Sequence, residues 1–183
     1  MSLFAWFPLN GNLTDTMKNK TLTCSKATYT TGKITQSLTL SGCDLQGSNP
    51  FIGLVDWSLT FWLRDNSSND WADFVCFSDN LTRLEVYNSG ANWTWYSNST
   101  TSGSFLSSGT SIKTGLSRGV WRHIALVKKG IKATLYIDGV EILSQNNAVT
   151  FSSASSKIHF NSRANTSYGN INIEDIRCYN HAL

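Results

Sequence analysis

The chain has 183 residues, of which 40% are hydrophobic and 15% charged, and its formal net charge is +3. Lys and Arg this few and this scattered do not make the basic stripe that phosphate-backbone binding requires, and no apolar run approaches the roughly 20 residues of a membrane-spanning helix. Asn, Ser, Thr and Gly take the place of the missing charges, a mixture that suits short strands joined by polar turns and offers no window for a long amphipathic helix.

The opening MSLFAWFPL lacks the basic start and the long apolar run of a signal peptide. The chain therefore reads as soluble, acting as a module of a longer secreted protein or as a virion component released by lysis. Strands are predicted at Leu3 to Phe7, Thr21 to Cys24, Ser37 to Leu40, Trp57 to Arg64, Asp73 to Ser78, Arg83 to Asn88 and Trp93 to Ser97. In the strand from Trp57 to Arg64, Trp57, Leu59, Phe61 and Leu63 alternate with Ser58, Thr60, Trp62 and Arg64, so one face is apolar and belongs between two sheets while Trp62 sits on the other.

The segment WRHIALVKKGIKATLYIDGVEI, Trp121 to Ile142, spells three strands and two tight turns. Lys128, Lys129 and Gly130 read as a solvated turn, and Asp138-Gly139 tolerates the positive φ of a hairpin turn, so an antiparallel meander follows. Further strands are expected at Lys157 to Phe160 and Asn170 to Tyr179. In the last of these Ile171 and Ile173 share one parity, while Ile176 and Cys178 share the other. A bulge at Glu174-Asp175 returns both pairs to the core and turns the two carboxylates outward.

Four cysteines, Cys24, Cys43, Cys76 and Cys178, lack the close paired spacing of a zinc site. Cys76 and Cys178 occupy strand positions that Ile or Val could fill and read as buried thiols. If a disulfide forms, Cys24 with Cys43 is the favoured pair.

FPLNGNLTD at Phe7 to Asp15, SLTFWLR at Ser58 to Arg64, VWRHIALV followed by LYIDGVEI, and the closing IEDIRCYNHAL together resemble the laminin G-like, concanavalin A-like jelly-roll family, in order from Phe7 to Leu183. The resemblance implies an all-β, two-sheet antiparallel sandwich, a single domain over residues 1 to 183, with about six or seven strands in each sheet. It also implies a recognition module of the kind found in surface proteins, glycosidases and bacteriophage tail or capsid proteins. Fold and function separate freely in such a superfamily, so a site has to be found among the residues.

Retaining glycoside hydrolysis needs two carboxylates about 5 Å apart, and glucanases of this general fold carry them clustered on one strand. Here Glu85, Glu141 and Glu174 lie on three different predicted strands, and no nucleophile elbow or phosphate loop appears, so the chain reads as no enzyme. A sugar-binding surface needs aromatic faces flanked by amides and hydroxyls. NWTWYSNS supplies these with Asn92, Trp93, Trp95 and Tyr96, and Trp71 lies in the polar loop DNSSNDWAD. These five residues are the predicted ligand site, while Trp6, Trp57, Trp62 and Trp121 are assigned to the core. The alternative for Trp93 and Trp95 is a core role.

The resemblance further implies a structural calcium between the loop after the first strand and the strand near the C-terminus. The corresponding residues are Asp15, Glu174 and Asp175; the alternative is that Asp15 caps a turn and Asp175 bonds neighbouring backbone. The function expected is non-catalytic binding of cell-surface glycans as part of a phage tail or virion protein, located in the virion or at the cell surface. The alternative is a capsid decoration or tail assembly module making protein contacts without a sugar site. Expected partners are a glycan or polysaccharide and other virion or surface chains, with homo-oligomerisation left open and no nucleic acid.

Overall fold

Period-two alternation and frequent turn residues become strands throughout the computed structural model, which describes residues 2–68, 72–77, 83–87, 92–96, 110–112, 117–146, 150–151, 156–162 and 169–183. In chain order the strands are β1 (Leu3–Phe7), β2 (Leu22–Cys24), β3 (Thr28–Thr31), β4 (Gln36–Ser41), β5 (Leu45–Ser48), β6 (Trp57–Asp65), β7 (Ala72–Phe77) and β8 (Arg83–Tyr87). They continue as β9 (Asn92–Tyr96), β10 (Thr110–Ile112), β11 (Trp121–Lys129), β12 (Lys132–Ile137), β13 (Val140–Gln145), β14 (Lys157–Phe160) and β15 (Asn170–Tyr179). No helix occurs among the described residues.

Two antiparallel sheets result. The eight-stranded sheet runs β13-β12-β11-β6-β15-β4-β3, and β1 pairs with the C-terminal half of β15. The seven-stranded sheet runs β10-β9-β8-β7-β14-β5-β2. Leu59, Phe61, Leu63, Ile124, Leu126, Ile171 and Ile173 of the first sheet enter one buried cluster with Phe74, Phe77, Leu84, Ile158 and Phe160 of the second. Phe61 meets Phe160 edge-on across the gap, with ring centroids 5.6 Å apart. One end is closed by stacked rings, Phe51 on Trp57 at 4.5 Å and Phe77 on Phe151 at 4.4 Å, a geometry that adds to simple burial.

The Asp138-Gly139 turn forms as the sequence predicts, with φ of 52° and 80°. The bulge in β15 also forms, its register against β6 shifting between Glu174 and Arg177. Ile171, Ile173, Ile176 and Cys178 are all buried as a result.

Three strands, β3, β5 and β10, escape the sequence reading because they are short and polar, Thr28–Thr31 reading TYTT and Leu45–Ser48 reading LQGS. With them the sheets hold eight and seven strands among the described residues, against the six or seven each expected. Lys128 is no solvated turn residue. It lies within β11, shares the core parity of Ile124 and Leu126, is 2% exposed, and donates from Nζ to the Val55 carbonyl. Burial lowers the Lys128 pKa, and the negative field of Asp56 only partly offsets this. Of the four tryptophans assigned to the core, only Trp57 is buried there; Trp6, Trp62 and Trp121 are half-buried on the outer face of the eight-stranded sheet.

Candidate functional site

Directly opposed residues of an antiparallel pair share a face, so the outer parity of β1, β6, β11 and β15 decides which side chains meet outside the sandwich. Trp6 is opposite Arg177, Trp62 opposite His123, and Trp121 opposite Arg64. For Trp6 and Trp121 the opposed residue is a cation, and for Trp62 the cation comes from the turn between β3 and β4. Arg177 lies 5.3 Å from the Trp6 ring and Arg64 lies 5.1 Å from the Trp121 ring, while Lys33 reaches to 5.6 Å from the Trp62 ring. His123 packs edge-on against Trp62 at 5.1 Å; burial lowers its pKa despite the opposing fields of Asp175 and Asp138.

A cleft opens on this face where the β15 bulge, the chain after β1 and the turn between β3 and β4 converge, with Trp6, Asn10, Ile34, Thr35, Asp175 and Arg177 among its lining. Two strained backbone positions shape it. Asp175 adopts φ 58° at the bulge, and the fully buried Leu9 adopts φ 59°, a conformation rare for a bulky side chain. The Asp175 N–H donates to the Pro8 carbonyl at 3.3 Å, joining the two bends.

Asp175 Oδ1 accepts from the Trp6 indole Nε1 at 2.7 Å and from Arg177 Nε at 3.0 Å. One carboxylate oxygen therefore fixes both an aromatic ring and a guanidinium at the mouth of the cleft. The opposite wall is held by Glu174, 1% exposed, whose carboxylate accepts from the backbone N–H of Lys33 (2.6 Å), Ile34 (3.1 Å) and Thr35 (2.6 Å) and from the Thr35 hydroxyl (3.2 Å). Gly32 is needed for that approach, because a Cβ there would stand 2.4 Å from Glu174 Oε2. Ile34 then projects at the turn tip, 59% exposed.

The predicted site residues fall into three groups. Trp71 lies outside the described residues. Asn92, Trp93, Trp95 and Tyr96 form β9 in the seven-stranded sheet, where Trp93 opposes Val86 and Ile112, and Trp95 opposes Leu84 and Thr110. The side chains of β9 lie outside the described residues. The cleft is on the other sheet.

Asp15, Glu174 and Asp175 are not gathered into one ligand set, and among the described residues no cluster of three or more His, Cys, Asp or Glu side chains is placed to hold a metal ion. Both oxygens of Asp15 are committed to the turn that follows β1, accepting from the N–H groups of Trp6 and Met17 on Oδ1 and of Asn19 and Lys20 on Oδ2, at 2.8 to 2.9 Å. Burial raises the Asp15 pKa, but these four bonds outweigh it and hold the carboxyl below its ordinary value. Four donors aimed at one carboxylate leave it poorly suited to a cation, and the Glu174 carboxylate is occupied in the same way.

Sequence reasoning missed Trp6, Arg177 and the Lys33–Thr35 turn. The parity of LFAWF held the signal for Trp6, since Ala5 and Phe7 are the buried positions of β1.

Residues 31–183 match the family model described as the concanavalin A-like lectin/glucanases superfamily. The chain belongs to that superfamily. No curated protein sequence matches it. The superfamily fold recurs in solved structures at low identity. Domain 4 of AbnA, an extracellular arabinanase of Geobacillus stearothermophilus solved with arabinotriose, is 19% identical with a TM-score of 0.80, over 100% of this chain and 94% of that domain. The receptor-binding domain of botulinum neurotoxin type G is 17% identical with a TM-score of 0.69, over 100% of this chain and 49% of that one. Trypanosoma rangeli sialidase is 12% identical with a TM-score of 0.73, over 98% of this chain and 30% of that enzyme. This superfamily member thus spans almost all of the arabinanase domain but half or less of the other two proteins.

Proposed function

We propose that this chain is a single, non-catalytic glycan-binding module and that its sugar site is the cleft over the β15 bulge. The observation that carries the reading is the Trp6–Asp175–Arg177 constellation, in which an aromatic face, an acceptor and a partly exposed guanidinium are fixed side by side, next to the Asn10 amide and the apolar Ile34. Such a mixture suits a pyranose or furanose ring, whose C–H face packs on an indole while its hydroxyls bond the flanking polar groups. Likeness to an arabinanase domain solved with arabinotriose supports the reading, as does membership of a lectin-like superfamily. The non-catalytic part rests on carboxylate chemistry: Glu174 is spent on the Lys33–Thr35 backbone, and Glu85 and Glu141 stand on β8 and β13. The setting proposed is a virion or cell surface.

Calorimetric titration with arabinotriose and with a panel of neutral and sialylated oligosaccharides tests the site. Trp6→Ala and Arg177→Ala are each expected to weaken binding about tenfold or more, the loss of roughly 1.4 kcal/mol, while Trp93→Ala and Trp71→Ala leave it unchanged. Loss of binding in the Trp93 or Trp71 variants instead returns the site to the residues first predicted from sequence. Absence of glycan binding altogether favours a module making protein contacts, for which exposed Val55 and Ile131 are the surface to probe, near the Gly130 N–H to Asp56 bond.

A further inference from the structure

We infer that Cys24 and Cys43 are a disulfide-forming pair, oxidised to a cross-link when the chain folds in oxidising surroundings. Cys24 ends β2, where it opposes Leu45 of β5, and Cys43 lies on the chain entering β5, so the antiparallel pairing of these two strands brings the cysteines together. Their Sγ atoms are 3.9 Å apart as free thiols. Bond formation needs the sulfurs to close to about 2 Å, and the side chain of the half-buried Cys24 has room to turn because both residues line an open, polar cleft with Thr23, Ser25 and Gln46. The other two cysteines lie in different sheets. Cys76 is buried in β7 of one sheet with its thiol on the Phe77 carbonyl, and Cys178 is buried in β15 of the other.

The chemistry is a thiol–disulfide exchange. A thiolate at Cys24 attacks oxidised glutathione or a protein disulfide donor and releases one thiol. The Cys43 thiolate then displaces the second, so that two protons and two electrons pass to the donor disulfide as the Cys24–Cys43 bond forms. In the folded chain burial pushes the Cys24 thiol up to about 11, with the adjacent Cys43 adding to the rise. Exchange is therefore slow once the fold is complete and fast while the chain is folding. The cross-link closes a loop between positions 19 apart that contains β3, β4 and the Lys33–Thr35 turn. It thus staples an edge hairpin whose tip is held by the Glu174 carboxylate and by Lys33 over the Trp62 ring, and it constrains the unfolded chain.

The test uses the wild-type chain refolded in a glutathione redox buffer, with the same chain kept in a phosphine reductant as its reference. Intact mass after maleimide labelling in denaturant is expected to show two labels rather than four, and peptide mapping to recover a Cys24–Cys43 linked pair. Thermal melting is expected to rise on the order of 5–10 °C over the reduced reference, as a closed loop of this length implies for a domain of this size. Four labels after equilibration, a bond involving Cys76 or Cys178, or a glutathione adduct at Cys24 with Cys43 still free would each overturn the inference. An oxidised chain that melts no higher than the reduced one would overturn the stapling role. A Cys24→Ser variant serves as control and is expected to accept all three remaining labels.

Discussion

Asp138 and Asp175 use the same local device to different ends. Each is an aspartate in the left-handed region, at φ 52° and 58°, and each binds an arginine two or sixteen positions away: Asp175 takes Arg177 Nε and Asp138 takes Arg122 Nη1. Asp138 sits at the tip of the β12–β13 hairpin, where its other oxygen accepts the His123 N–H at 2.9 Å, so every bond it makes closes the meander on itself. Asp175 sits inside a strand that has neighbours on both sides. Its left-handed turn therefore cannot end the strand; it re-aims the carboxylate across β1 to the Trp6 indole and creates a cleft. A strained residue at a chain reversal serves folding, whereas one embedded in a paired strand is available for a site.

The largest expected effect lies on the Asp175 side. Glu174→Ala removes the acceptor for three backbone N–H groups of the Lys33–Thr35 turn and is expected to cost about 3 kcal/mol in urea denaturation, with Gly32→Ala acting in the same direction through its clash with the carboxylate. If Glu174→Ala costs less than about 1 kcal/mol, the turn is held by other contacts and the cleft wall is not built as described.

Next comes a matched pair. Asp138→Gly and Asp175→Gly both keep the positive φ and both lose the carboxylate, so each is expected to destabilise by about 1 to 2 kcal/mol. Only Asp175→Gly is expected to abolish binding of the oligosaccharide that wild type prefers, read by titration. Equal binding by the two variants would erase the functional distinction between the regions.

Acid unfolding gives a smaller effect. Asp138 and Asp15 both fall below the ordinary 3.8: burial raises each, and for Asp138 the bonds to Arg122 and the His123 N–H outweigh it. A carboxyl lowered on folding adds stability that is fully present above its unfolded value and disappears as pH falls through the folded one. Stability is thus expected to be flat from neutral pH to about 5 on account of these groups and to decline below 4, and Asp15→Asn should flatten the decline. The smallest expected effect is that of a chelator. With the Asp15 and Glu174 carboxylates filled by N–H donors, excess chelator is expected to leave the melting temperature unchanged; a fall of several degrees would place a calcium ion in the fold by linkage.

Much of the fold was legible in one dimension because a strand writes its faces with period two. Trp57–Arg64 and the parity break at Glu174-Asp175 both declared themselves in this way, and the break led to the bulge. TYTT and LQGS did not, since a short edge strand needs little apolar content and draws its hydrogen bonds from a neighbour distant in sequence. Lys128 misled because a buried ammonium looks in sequence like a solvated one; its burial depends on the Val55 carbonyl, 73 positions away.

The site was less legible. A tryptophan on a β-strand reads as core or surface only once the parity of that strand is known, and its chemistry depends on what the adjacent strand places opposite it. The residues Trp6 and Arg177 are far apart in the chain, yet the β1–β15 register makes them neighbours, and the same register brings Asp175 to bond both.

By itself the sequence determined the all-β class, the meander and its Asp138-Gly139 turn, the bulge position and the family, because alternation, turn chemistry and motif order are local properties of a chain. Only the tertiary structure decided that Glu174 clamps a turn, that Asp15 is filled by backbone donors and that Cys24 faces Cys43. It alone decided which cation stands beside Trp6, Trp62 and Trp121 on the outer face. Those outcomes depend on strand register between segments remote in sequence, and register is settled by the packing of the whole sandwich.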